Sequence, residues 1–135
     1  MHKLTTGFSA LIALLSLLGG FVAPTVAAAA DDTLLYSGSF KGRSRHSTSG
    51  EVRVVERDGR TLVILQQDFR FDGAPDPKLG FSRDRRKPKR LFSPLSSNRG
   101  EQVYELPAGI DTADLQGLNL WCERFGVQLG YAKFN

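Results

Sequence analysis

The 135-residue chain has one cysteine, Cys122, one methionine, Met1, one tryptophan, Trp121, and two histidines, His2 and His46. These scarcities exclude whole classes of site. A single cysteine builds no intrachain disulfide and no Cys-x-x-Cys-His haem attachment. Nor does it build a cysteine-ligated iron–sulfur cluster or a cysteine-rich zinc site within one chain. A blue-copper centre asks for two histidines and a cysteine, and Met1 and His2 lie in a segment read below as removed. Ser37-Gly38-Ser39 and Ser96-Ser97 lack the Gly-x-Ser-x-Gly context of a nucleophile elbow. No acid–base pair or nucleophile constellation is visible, so independent enzymatic turnover is not expected.

Charge is missing from Phe8 to Val22. This run follows the basic start Met1-His2-Lys3, is broken at Pro24, and leads into the small residues Ala27 to Ala30. The pattern predicts a secretory signal peptide over residues 1–30, cleaved before Asp31; the apolar run is too short and wrongly flanked to span a membrane. No cysteine adjoins the cleavage region, which argues against a lipid anchor. The expected product is one exported domain, Asp31 to Asn135, periplasmic or extracellular and without a transmembrane segment after cleavage.

With Lys3 removed, 17 bases face 14 acids. The excess is local: Arg83-Asp84-Arg85-Arg86-Lys87-Pro88-Lys89-Arg90 holds six bases and one acid, leaving 11 against 13 elsewhere. The basic candidates are Arg83, Arg85, Arg86, Lys87, Lys89 and Arg90. Such a run suits an anionic phospholipid or envelope polymer, or is simply a solvated loop. No aromatic residue interrupts it, so base stacking on single-stranded nucleic acid finds no support, and no specific nucleic-acid partner is expected.

The clearest local signal lies in Glu51 to Gln66. Val52 to Val55 and Leu62 to Leu65 flank Arg57-Asp58-Gly59-Arg60, and Asp-Gly favours a two-residue type I′ hairpin. Pairing Arg57 with Arg60 sets Val54 against Val63 and Val52 against Leu65, which predicts these four as one core face. Shorter strands are expected at Leu34 to Tyr36, around Ser39-Phe40, at Leu79 to Phe81 and at Gln102 to Leu106. Ser82 to Gly100 reads as one long basic loop. Asp111 is placed to cap a helical turn through Leu115, with Asp114 at its third position. Asp68, Asp72 and Asp76 recur every four residues, but they lack a calcium-loop pattern, and Pro75 and Pro77 favour a plain turn.

The last seventeen residues or so alternate strongly. Leu118, Leu120 and Cys122 interleave with Asn119, Trp121 and Glu123; Phe125, Val127, Leu129 and Tyr131 then alternate in the opposite phase. A turn or bulge is therefore expected at Glu123-Arg124 or Phe125-Gly126. Cys122 stands at the end of a core strand, as a candidate working thiol or as a packing residue. His46, alone after cleavage, is a candidate axial ligand, a general base, or a polar residue satisfying its loop. Many short strands without a long amphipathic helix predict an all-β fold: a β-sandwich or flattened antiparallel barrel with one short helical turn.

His46-Ser47-Thr48-Ser49-Gly50, Asp68-Phe69, Gly73 to Phe81, Tyr104 to Asp111, and Leu120-Trp121-Cys122-Glu123-Arg124-Phe125-Gly126-Val127 together resemble the DM-thirteen domain family. That family is a small "electron-transfer" domain, found beside DOMON domains in animals and alone in exported bacterial proteins. The resemblance spans nearly all of Tyr36 to Phe134 and is most specific at Trp121 to Val127. It implies an all-β domain with a signature cysteine, here Cys122. That cysteine would act as a redox thiol facing a redox partner protein, or would hold a prosthetic group such as non-covalent haem, with His46 opposite. The basic run departs from the family pattern and implies a private partner. The competing reading is a non-catalytic binding module that presents the basic loop to an anionic envelope component.

Overall fold

The computed structural model describes Gly19, Gly20, residues 31–84 and residues 87–135. The signal-peptide reading, those two glycines apart, and Arg85 and Arg86 therefore lie outside the described residues. Among the described residues ten strands form: β1 Thr33–Gly42, β2 Thr48–Ser49, β3 Glu51–Arg57, β4 Arg60–Leu65, β5 Arg70–Phe71, β6 Pro77–Ser82, β7 Arg90–Pro94, β8 Gln102–Glu105, β9 Gly117–Cys122 and β10 Val127–Phe134. Eight of them make one antiparallel sheet in the order β7-β6-β9-β10-β1-β3-β4-β8, and β2 pairs with β5 as a separate ribbon. The all-β expectation holds.

The edge strands β7 and β8 are consecutive in the chain, so residues 95–101 bridge the gap and leave a nearly closed barrel. Leu95 N donates to Pro77 O at 2.9 Å, Ser96 N to Tyr104 Oη at 2.9 Å, and Ser97 N to Gln102 Oε1 at 3.0 Å. These bonds satisfy backbone donors of the connecting segment and tie it to β6 and to side chains of β8.

The Asp58-Gly59 hairpin forms in the expected register, with Val54 opposite Val63 and Val52 opposite Leu65. Both turn residues have positive φ, 51° and 73°, as a type I′ turn requires. All four side chains are fully buried and enter the main core with Phe40, Phe69, Leu79, Leu118, Leu120 and Cys122. The outward positions Val55, Leu62 and Ile64 form a second small apolar cluster.

Three expectations need correction. The two short strands before Gly42 are one ten-residue strand with a register shift between Leu34 and Tyr36. The long loop Ser82 to Gly100 contains β7, whose half-buried Leu91, Phe92 and Ser93 do not alternate because the register against β6 slips between Leu79 and Gly80, leaving Phe92 without a partner. Among the described residues no helix forms. At the expected helical turn, Ala113 N donates to Asp111 Oδ1 at 2.9 Å and Asp114 has φ 55°, so Asp111 organises a turn instead.

The phase change near the C-terminus is a four-residue turn, Glu123 to Gly126, closed by Gly126 N donating to Cys122 O at 2.9 Å. Gly126 has φ 63°, which glycine adopts without Cβ strain. A further register shift lies between Gln128 and Gly130. It lets Val127 and Leu129 face inward, and Ala132 and Phe134 after them. Tyr131 is paired with Asn119 on the outer face, where both are nonetheless buried.

Candidate functional site

Strand direction sorts the loops into two ends. Cys122 pairs with Pro77 on one side and Val127 on the other, while Gly117 pairs with Ser82 and Lys133. The Cys122 end therefore also holds the end of β1, the ribbon β2–β5, the turn 72–76 and residues 95–101. The Gly117 end holds the hairpin turn at Asp58-Gly59, the basic residues Arg83, Lys87 and Lys89, and the stretch 106–116. His46, Thr48, Asp68, Phe69, Gly73 to Pro77 and Trp121 to Val127 thus gather at one end, and Arg83, Lys87, Lys89 and Arg90 sit at the other.

Cys122 is a free thiol, 2 % exposed, embedded in the main core. The turn after it is tied down from β6. Glu123 N donates to Asp76 O at 3.1 Å, and Lys78 Nζ pairs with the Glu123 carboxylate and with Asp76 Oδ1 at 3.5 Å. The hydrogen bond to Glu123 raises the Lys78 pKa above its ordinary value. All four turn residues are exposed, and Phe125 presents its ring to solvent at 64 % exposure. Trp121 is half-buried on the outer face, opposite Lys78 and Gln128.

His46 belongs to the same end but does not bond to the thiol. Its Nδ1 lies 2.9 Å from Asp72 Oδ1, and Ser47 N donates to Asp72 Oδ2 at 2.9 Å. A carboxylate only accepts, so His46 Nδ1 carries the proton and donates. The neighbouring Thr48 hydroxyl donates to Leu129 O at 2.9 Å, two residues beyond Val127, the partner of Cys122. Gly42 and Gly130 permit this loop to lie on the sheet. A Cβ at Gly42 would stand 2.0 Å from His46 O, and one at Gly130 2.8 Å from Thr48 Cβ. The residue that sequence reasoning missed is Asp72, considered there only as a calcium ligand. Its proximity to His46 arises from β2 pairing with β5 across 22 residues of chain, from Thr48↔Phe71 and Ser49↔Arg70.

The three aspartates do separate work. Asp68 Oδ1 accepts from Glu51 N at 3.0 Å, Asp72 holds His46 and Ser47, and Asp76 pairs with Lys78. Among the described residues no group of three or more His, Cys, Asp or Glu is arranged to hold a metal ion. A haem resting on Cys122 would need an open face at Sγ for the macrocycle. The side chain is instead enclosed by core residues, and His46 Nδ1 is committed to Asp72. The enclosed thiol does not fit that group.

The Ser47 backbone N–H, and secondly the His46 ring, hold the Asp72 carboxyl below its ordinary range. The folded value lies below the unfolded one, so the contribution is present above the unfolded pKa and is lost as pH falls through the folded one. Asp72→Asn is therefore expected to melt below the parent protein at pH 7, with the gap shrinking under about pH 4. Thermal melts at pH 7 and pH 3 check this; a constant gap would show that Asp72 acts by shape alone.

At the Gly117 end, Arg83, Lys87, Lys89 and Arg90 are exposed. The segment is anchored by Pro88, which is buried; a Cβ on Gly80 would come within 2.9 Å of its side chain. Arg83 Nη2 pairs with Asp111 Oδ2 at 2.8 Å. The structure thus does not bring Arg83, Lys87, Lys89 and Arg90 together with Cys122 or His46. Five residues of β9 separate the two ends, roughly 16 Å at about 3.3 Å per residue.

No curated protein and no solved structure gave a significant match to this chain. A family model described as "Electron transfer DM13" matches residues 39–134, from within β1 to the end of β10. It thereby covers both barrel ends, the enclosed Cys122 and the His46–Asp72 pair, and on that match the chain belongs to the electron-transfer DM13 family.

Proposed function

We propose that this protein is an exported electron-transfer module in which Cys122 works as a free thiol, exchanging with a disulfide on a redox partner protein. The observation that carries the reading is the position of Cys122. It is enclosed in the core, yet it is the last residue before a fully exposed turn, at the end where His46, Asp72 and Trp121 also lie. In the folded state the core shields Sγ from reagents. Lifting the Glu123–Gly126 turn brings Sγ to water beside Arg124 and the exposed Phe125 ring, an apolar contact for the partner. The Cys122 thiolate then attacks one sulfur of the partner disulfide. A Cys122–partner S–S bond forms, the partner's own S–S bond breaks, and the departing sulfur leaves as a thiolate, so that the Cys122 sulfur is oxidised as that partner sulfur is reduced.

Opening of one turn exposes little surface, whereas global unfolding exposes most of the core. Alkylation of Cys122 in the native protein is therefore expected to proceed at a rate nearly independent of urea at low concentration. Lys78→Gln, which releases Glu123, should speed labelling several-fold without moving the unfolding midpoint. A labelling rate that follows urea with the full slope of global unfolding, and is unchanged by Lys78→Gln, would mark Cys122 as a packing residue and remove the thiol from the mechanism.

A further inference from the structure

The Gly117 end carries a cleft that the thiol reading does not use. Its walls are the end of β6 with Arg83, the start of β7 with Lys89 before it, and residues 109–115; its volume is about 220 Å³. The floor is apolar: Phe81 and Leu115 are buried and Ile110 is half-buried. Phe81 stacks on Phe92 at 5.1 Å and tilts against Phe134 at 6.3 Å, so the floor belongs to the packed core and is preformed. The rim carries Arg83, Lys89, Arg90 and Asp111. Arg83 and Asp111 neutralise one another and tie the two walls together. Among the described residues neither Lys89 nor Arg90 forms an ion pair.

Apolar floor and unneutralised cationic rim select together. A cavity of about 150 Å³ accepts a benzene ring, while drug-sized ligands fill about 300 Å³ or more. We propose that this cleft binds a small amphipathic anion: a single ring or short acyl chain seated on Phe81, Ile110 and Leu115. Its carboxylate or phosphate meets Lys89 and Arg90. Inorganic phosphate alone leaves the floor unfilled, and a neutral molecule of the same shape leaves two cations unanswered. The site stands about 16 Å along β9 from Cys122 and does not rest on the thiol reading.

The test titrates isotope-labelled protein with benzoate, phenyl phosphate and octanoate, with benzyl alcohol and octanol as neutral counterparts, and with inorganic phosphate. Methyl resonances of Ile110 and Leu115 report occupancy. Saturable shifts are expected with the organic anions. The alcohols should bind roughly tenfold more weakly or worse, the loss expected of a charge-assisted contact. Whichever of benzoate and phenyl phosphate binds tighter identifies the headgroup. Replacing Lys89 and Arg90 together by Gln should weaken the anions by a similar factor. Ile110→Trp, which fills the cleft, should abolish the shifts while the melting transition is kept. Equal affinity for anion and alcohol, inorganic phosphate binding as tightly as phenyl phosphate, indifference to the double replacement, or no saturable shift would each overturn the proposal.

Discussion

Phe69→Ala is expected to lose about 3–5 kcal/mol of unfolding free energy, the range for a fully buried aromatic ring cut to a methyl. Phe69 has no exposed surface and meets Phe40 edge-on at 5.6 Å. Its backbone is fixed on both sides, with Phe69 N donating to Gln66 O and Gly100 N donating to Phe69 O. Gly50 lies against it so closely that a Cβ there would come within 2.5 Å of Phe69 Cα. The neighbours are therefore held by hydrogen bonds and cannot close on the space left by the ring, which places the loss toward the upper part of that range. A small domain has about 5–15 kcal/mol in all, so the midpoint in urea should fall sharply with an unchanged slope. A loss under about 1.5 kcal/mol would show that the Cys122 end collapses readily onto the vacated volume.

Leu120→Ala is expected to cost about 2–5 kcal/mol. Leu120 is in register with Leu79 on β6 and Gly130 on β10, with no exposed surface. Its β10 partner is a glycine, with no side chain to spread into the gap, so the cavity persists. The same experiment separates two roles for its neighbour. If Cys122 is reached only by global unfolding, a loss of about 2–5 kcal/mol multiplies its labelling rate by roughly 30 to 5,000. If the Glu123–Gly126 turn opens by itself, the rate rises far less than the stability falls. Parallel denaturation and alkylation measurements decide between them.

Period-two alternation carried much of the fold. It was enough for the Val52–Leu65 hairpin and its register, for the inward face Leu118, Leu120 and Cys122, and for a change of phase near Glu123, because these features depend on neighbours a few residues apart. Motif content sufficed for the family, since the residues from Trp121 to Val127 carry it in order. β7 was hidden because its register against β6 slips at Phe92, which breaks the alternation that the other edge strand, β8, keeps.

The sequence by itself determined an all-β chain with one thiol, a lone histidine between Asp31 and Asn135, and a concentrated run of base. Tertiary structure alone decided where they meet. Sequential distance says nothing about which end of a barrel a loop reaches; strand direction and pairing do. Antiparallel pairing of β6, β9 and β10 placed His46, Asp72 and Cys122 at one end and Arg83, Lys89 and Arg90 at the other. Burial of Cys122 is likewise collective: its side chain is covered because β6 and β10 flank it and the β2–β5 ribbon joins the same core. No window of sequence contains those contacts, and they exist only once eight strands have found their order.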